Sequence, residues 1–367
     1  MPIFIYQNAN KMKKNILLIF LSVLVTLLLC ELLLAIVAPQ TNEDRRYLVW
    51  SSPNFRVDQF GAVTFLPNET VRTVAVYGDK VEYDVSYQTN NMGLIDHRDY
   101  GNKETVSRRL AFVGDSFTAG HHGGTPWVPD LRDHLAIDQN FAIYNLGISG
   151  TGIHHFAKLV ESFAARIDFD EIVVIAILDD FLRPYWVPDT TASEIRFCNA
   201  KFPIEKCRTE KRPVGYIFAY DTPIDTIIAQ ADAFQTTIWR ELTAISHLAG
   251  FADRAWGSSQ KRERGGLPRW QQILLEEGMA TLGSISTKHP DKKRTFIHLP
   301  QKSEVAASEF ELDLRKDVES QGFIYFSSME HCSWSLGMFL ELDGHPNRLG
   351  YENITRCVAQ ALALQLQ

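Results

Sequence analysis

The residues best suited to chemistry lie in two stretches far apart in the chain. The first is AFVGDSFTAG, 111–120, where an apolar run ends on Gly114-Asp115-Ser116 and passes into Thr118, Ala119 and Gly120. A serine placed just past a strand and before a helix faces a cleft, and backbone N–H groups at such a turn can meet a developing oxyanion. Small neighbours permit the tight turn and a close substrate. Serine is a poor nucleophile until a base takes its proton. The second stretch, DGHPNRLGYE, 343–352, offers that base in His345, with Asp343 two residues earlier to orient the imidazole and stabilise its charged form. Either stretch alone reads equally well as an ordinary turn, since Gly-Asp-Ser, Asp-Gly and His-Pro are common turn formers. Together they predict a Ser116–His345–Asp343 catalytic set.

The elements that must bring these loops together follow a regular order. Short apolar strands are predicted at 109–113, 141–145, 171–177, 294–299 and 322–327, alternating with helical patterns. Ile153, Phe156, Ala157, Val160 and Phe163 form one helical face, and Ile354, Val358, Ala361, Leu362 and Leu366 another. The run EIVVIAIL, 171–178, is apolar enough for a central parallel strand. This rhythm predicts an α/β fold with a doubly wound parallel five-stranded sheet flanked by helices. Ligands then sit beyond the carboxyl ends of the strands, where Ser116 and the His345 loop both fall. Before it, residues 39–108 read as a small extended, β-rich section, with strands at 73–77 and 81–87 joined by a turn at Gly78-Asp79. Residues 183–290 interrupt the α/β order; there Ile227, Ala231, Phe234, Ile238, Leu242 and Ile245 make a helical stripe that packs on its own domain.

Taken together, these blocks resemble the SGNH/GDSL hydrolase family, in the branch found among bacterial envelope proteins. GDSFTAG resembles the first block, which implies Ser116 as nucleophile and its N–H as an oxyanion donor. NLGISGTG, 145–152, resembles the second block, whose glycine gives a further donor; Gly150 aligns best and Gly147 is the runner-up. LDDFLR, 178–183, stands where the third block, Gly-x-Asn-Asp, is expected, and DGHPNRLG resembles the last block with its acid and base. TNNMGLIDHRDY, 89–100, resembles the segment before the first block. The resemblance implies an SGNH-like domain over 109–367, an oxyanion hole of Ser116, Gly150 and Asp179, and substrate contacts from Asp115, Thr118 and Gly147. Two departures stand out. Asp179 replaces the family asparagine, and an ionised carboxylate repels an oxyanion, so it must be protonated, turned away or replaced by another donor. Asp343 precedes His345 by two residues where much of the family has three.

The N-terminus supplies a topological signal. Residues 1–30 lack Asp and Glu, Lys11, Lys13 and Lys14 lead in, and between Ile16 and Ala38 only Cys30 and Glu31 can ionise. As a helix this run is about 34 Å long, enough to cross a bilayer. It is too long for a signal-peptide core, and Pro39 is a poor residue to follow a cleavage site. The expected arrangement is a cytoplasmic 1–14, a signal-anchor helix at 15–38 in the lipid bilayer, and a periplasmic or extracytoplasmic remainder. Cys198 and Cys207 could then pair, while Cys332 and Cys357 are either a second pair or two buried thiols.

The chain has 367 residues with 45% hydrophobic and 22% charged, a globular balance, and its net charge of −7 argues against a nucleic-acid partner. No cofactor is expected, and no metal: His121-His122 and His154-His155 have no acidic or cysteine partner at ligand spacing. The former pair is expected at the cleft mouth, the latter at the start of a helix. Trp127, Tyr185 and Trp186 are either a sugar-stacking platform or packing. An Asp180–Arg183 ion pair is expected to support the third-block turn. The family resemblance and the location together imply a membrane-anchored serine esterase acting on a small ester or an acylated carbohydrate, removing O-acyl (acetyl) groups from an envelope or exported glycan. The alternatives are an O-acetyltransferase using the same site and a catalytically silent assembly subunit.

Overall fold

The computed structural model describes residues 2–37, 46–51, 55–77, 80–101, 106, 108–123, 126–136, 141–183, 186–189, 194–198, 209–210, 216–234, 246–248, 267 and 269–364. They belong to two units, one of residues 1–45 and 232–266, the other of 46–231 and 267–367.

In the first unit, α1 (Pro2–Val37) contains a stretch, Leu17–Val37, of mean hydropathy 2.8 that is long and apolar enough to cross a membrane. Glu31, the carboxylate in that stretch, accepts hydrogen bonds from Ser246 Oγ and Leu248 N, each at 3.0 Å, and from His247 N.

The second unit opens with the expected β-rich section: β1 (Arg46–Ser51), β2 (Phe55–Val57), β3 (Val63–Phe65), β4 (Thr70–Tyr77) and β5 (Lys80–Gln88). β4 and β5 form an antiparallel hairpin, with β1 antiparallel on the other side of β4. The α/β order follows: β6 (Arg108–Gly114), α2 (Ser116–Ala119), α3 (Trp127–Ala136), β7 (Phe141–Gly147), α4 (Ile153–Ala164), β8 (Glu171–Ala176) and α5 (Asp179–Leu182). Within the insertion, β9 (Trp186–Asp189), β10 (Glu194–Cys198) and β11 (Thr209–Glu210) make a small antiparallel sheet. β12 (Tyr216–Phe218) then returns to pair in parallel with β1, before α6 (Ile224–Phe234). Beyond α6 the helical stripe lies outside the described residues, as does the Cys198–Cys207 pairing. The chain closes with α7 (Arg269–Lys288), β13 (Lys293–His298), α8 (Lys302–Ala307), α9 (Arg315–Ser320), β14 (Ile324–Ser327), α10 (Ser328–His331) and α11 (Arg348–Leu364).

Five strands make the central sheet in the order β14-β13-β8-β6-β7, every pairing parallel. Their side chains divide by alternation. Ala111 and Val113 of β6 join the core under α4 and α7, whereas Leu110 and Phe112 join the core under α3 and α11. Burial on both faces explains why these strands read as unbroken apolar runs, and each fully buried Phe, Ile or Leu contributes about 2–3 kcal/mol of transfer free energy. β7 lies on one side of β6 and β8 on the other, so the strand order reverses at β6, directly above which the Ser116 turn begins. Cys332 and Cys357 are disulfide-bonded, tying the segment after α10 to α11.

The segment before β6 is locked down by a buried ion pair. Asp96 is fully buried and bonds Arg132 of α3, itself 3% exposed. Tyr100 donates to the same carboxylate at 2.6 Å, and its oxygen accepts from Asn145 N at 2.7 Å. Asp96→Ala would leave the guanidinium buried and unpaired, so we expect a loss of about 3–5 kcal/mol, measured by urea unfolding.

Buried histidines give the fold an acid limit. Burial lowers His154, His155 and His298 to about 3 each, with Lys158 adding to the effect at His154 and His155. A neutral imidazole in the fold contributes stability that is complete above the unfolded value of about 6.5 and is lost as pH falls towards 3. Thermal unfolding should therefore show Tm falling steadily from pH 6.5 to pH 4; a flat profile over that window would contradict these environments.

Candidate active site

Ser116 stands at the first position of α2, whose N-cap is Asp115. Asp115 Oδ1 accepts from Phe117 N at 2.8 Å, which fixes the turn. The N–H at a helix's first position has no intrahelical acceptor and points out of the helix end. Gly114 is required by close approach: a Cβ there would lie 1.9 Å from Thr118 Oγ1 and 2.3 Å from Ile175 O.

The structure brings the two distant loops together. Ser116 Oγ lies 2.7 Å from His345 Nε2, and His345 Nδ1 lies 2.9 Å from Asp343 Oδ2. The two-residue spacing of acid and base is absorbed by a tight turn through Gly344, at φ +77°, closed by Leu340 N donating to His345 O at 2.8 Å. Asp343's side chain is fully buried, and it carries more donors than the histidine alone. Tyr77 donates to Oδ1 at 3.1 Å and Tyr83 to Oδ2 at 3.0 Å. Glu82 accepts from the Leu342 and Asp343 backbone N–H groups, each at 2.7 Å. All three residues come from the β4–β5 hairpin. The sequence predicts this hairpin only as two strands joined by a turn; two tyrosines and a glutamate on it are the available signal.

His121 and His122 correct the expectation of a cleft mouth, for both are fully buried. His122 stacks on His345 with ring centroids 4.0 Å apart and planes 16° apart. Its Nδ1 is 2.6 Å from Tyr83 Oη, and its Nε2 is 2.9 Å from Ser149 Oγ. Burial, helped by His122 and His345, pushes His121 well below the ordinary imidazole range. His122, Asp343 and His345 hold ligand-type atoms within 4.8 Å of one another, but hydrogen bonds with Ser149, Tyr83 and Ser116 already use those atoms.

The third-block turn explains the departure at Asp179. Asp179 is exposed, and Oδ2 accepts from Gln301 Nε2 at 2.8 Å. The buried partner is Asp180, which accepts from Ile177 N at 3.0 Å and pairs with Arg183 at 2.9 Å. Burial and the nearby Asp115 push Asp180 well above the usual carboxylate range, with Arg183 pulling the other way. Burial opposes the charge on Arg183, but Asp180 and Asp115 hold its pKa above the ordinary value. Arg183 Nη1 also donates to Asp115 Oδ2 at 2.8 Å and Thr151 O at 2.7 Å, tying this turn to the first two blocks. Because Asp179 faces Gln301, we expect Asp179→Asn to change ester turnover by no more than about threefold, as for a surface substitution, in a steady-state assay.

The expected substrate contacts take inner positions instead. Asp115 and Thr118 are fully buried; Thr118 Oγ1 donates to Ile175 O at 3.1 Å, and Asp115 holds Phe117 N, Ser116 Oγ and Arg183. Gly147 is buried too, with Ala119 N only 2.3 Å from where a Cβ would stand. Gly150, at φ +75°, is the exposed glycine of the second block. Trp127 is core, donating to Phe117 O at 2.8 Å beneath the serine turn, while the side chains of Tyr185 and Trp186 lie outside the described residues.

An α/β fold with a Ser–His–Asp chain at the switch point of its sheet defines the class of this protein. No family model matches the chain, and neither does any curated protein. Solved structures do. The psychrotrophic esterase EstA from Pseudoalteromonas sp. shares 10% identity over 71% of this chain and 99% of its own, with a TM-score of 0.38. A catalytic mutant of Axe2, an acetylxylan esterase from Geobacillus stearothermophilus, shares 13% over 71% and 95%, with a TM-score of 0.35. A GDSL-like lipase from Bacteroides thetaiotaomicron shares 12% over 72% and 93%, with a TM-score of 0.32.

Proposed function

We propose that this chain is a serine ester hydrolase of the SGNH/GDSL type, anchored to a membrane by α1 and acting on O-acyl groups of an extracytoplasmic glycan. The observation that carries the reading is the continuous Ser116–His345–Asp343 hydrogen-bond chain at the carboxyl ends of the strands. Ser116 Oγ attacks the ester carbonyl as His345 Nε2 takes its proton. The tetrahedral oxyanion is met by the N–H groups of Ser116 and Gly150. His345 then gives the proton to the leaving alcohol, and water, activated by the same imidazole, releases the acid. Asp343 keeps the imidazole in the Nδ1–H tautomer and stabilises the imidazolium. With Asp179 turned to Gln301, no carboxylate from that position opposes the oxyanion.

The location rests on separate observations. Lysines precede the apolar helix, which favours a cytoplasmic N-terminus. The Cys332–Cys357 disulfide suits an oxidising compartment beyond it. Incubating the purified protein with p-nitrophenyl acetate and with O-acetylated polysaccharide, and following acetate release, tests the reading. Release from both supports it; transfer of acetyl to another sugar hydroxyl without net release favours the acetyltransferase, and inertness towards both favours the silent subunit.

A further inference from the structure

We propose that Ser149 is a second acylable serine, activated by His122 and sharing Asp343 with Ser116. The inference rests on the reading of the Ser116 site as ester-cleaving, and extends it to a residue which that reading does not use.

The hydrogen-bond directions can be worked out from one end. Tyr83 has a single proton and donates it to Asp343 Oδ2. Its oxygen therefore faces His122 Nδ1 as an acceptor, so Nδ1 carries the imidazole proton. His122 Nε2 is then a lone-pair nitrogen, and Ser149 Oγ at 2.9 Å donates to it. Serine, imidazole and an orienting acidic chain in this order are the general arrangement of an activated nucleophile.

The second chain runs beside the first. The imidazoles of His122 and His345 are stacked, and both Nδ1 atoms face Asp343 Oδ2, at 3.7 Å and 2.9 Å. Their Nε2 atoms therefore emerge on the same side, each holding a serine hydroxyl. Ser149 follows the carboxyl end of β7 as Ser116 follows that of the neighbouring β6. The two serines are almost equally exposed, at 4% and 2%, so neither has the advantage of access. Ser149 also precedes Gly150, whose N–H is the proposed second oxyanion donor.

The step balances as the first one does. Ser149 Oγ bonds to the ester carbonyl carbon while its proton passes to His122 Nε2. Collapse breaks the bond to the alcohol, which leaves with that proton, and Ser149 keeps the acyl group until water reverses the sequence. Both chains end on one carboxylate, so only one imidazole at a time can be charged at little cost.

The test uses the full-length protein in detergent and a small ethyl fluorophosphonate, whose fluoride is displaced by an activated serine. Labelled sites are mapped by mass spectrometry; Arg132 separates Ser116 and Ser149 into different tryptic peptides. In Ser116→Ala we expect label on Ser149, and in Ser116→Ala/His122→Gln labelling slower by about 100-fold or more, the usual worth of a general base. Should the double variant not fold, the labelling rate at Ser149 in Ser116→Ala is followed against pH instead. It should rise as imidazole loses its proton, the titratable groups facing His122 being His121, His345, Tyr83 and Asp343. No label on Ser149 in Ser116→Ala, or labelling indifferent to both His122 and pH, overturns the inference. Label on Ser116 in the unaltered protein is read independently, so a failure at Ser149 is told apart from a failure of the ester-cleaving site.

Discussion

Ser116→Ala is expected to lower kcat for acetyl-ester hydrolysis by about 10⁵-fold or more, towards the roughly 10⁶-fold seen when a triad nucleophile is removed. Ser116 Oγ has one proton and two neighbours that can accept it, His345 Nε2 at 2.7 Å and Asp115 Oδ2 at 3.1 Å. The shorter bond leads to the base. Asp115 already receives Phe117 N on one oxygen and Arg183 on the other, so its charge is spent on holding the turn. Without the hydroxyl no covalent intermediate forms at this position, and oxyanion binding, substrate positioning and a residual turnover through Ser149 are what survive. The methyl group that remains fits the same space, so the fold should persist, and thermal unfolding of the variant provides the control. Equal rates for the two proteins, both folded, would rule out Ser116 as the main nucleophile and leave the Ser149 route or the silent-subunit alternative.

Asp343→Asn should cost about 10⁴-fold in kcat with little change in KM. The carboxylate accepts from three side chains, Tyr77, Tyr83 and His345, and an amide has only one oxygen with which to do so. Its NH₂ must then face either a tyrosine hydroxyl or the imidazole. Against His345 it forces the proton from Nδ1 to Nε2, and a protonated Nε2 cannot accept from Ser116. The nucleophile loses its base while all heavy atoms stay in place. A steady-state assay showing a loss below tenfold would mean that Asp343 does not orient the base. Tyr83→Phe separates orientation from charge: the acid stays ionised but loses one donor, worth about 1.5–3 kcal/mol when the acceptor is charged.

Much of the scaffold was legible because burial on both faces of a parallel sheet leaves a strong mark. All five strands read as apolar runs, and the helix faces of Phe156 and Val358 stood out by period. The two loops carrying Ser116 and His345 were legible for a different reason: turn-forming residues beside chemically able side chains are uncommon enough to notice. What could not be read was depth. Nothing in Asp115 or Thr118 says that both are sealed beneath the turn, nor in His121-His122 that they lie behind the base rather than before it. Asp179 and Asp180 are adjacent and identical, yet one faces Gln301 at the surface and the other is shut in with Arg183. Contacts between segments remote in sequence decide such matters, and pattern carries no information on them. Tyr77, Glu82 and Tyr83 were missed for that reason, being ordinary strand residues until Asp343 is placed beside them.

The hairpin's grip on the acid has a practical side. A gene fragment cloned from residue 109 onward would contain nucleophile, acid and base, and would look complete to anyone trimming the chain by its sheet. It would nonetheless lack the two phenols and the glutamate that hold the acid loop in register. The smallest portable unit therefore begins near residue 46, and a graft of this activity onto another scaffold must carry both ends of the chain together.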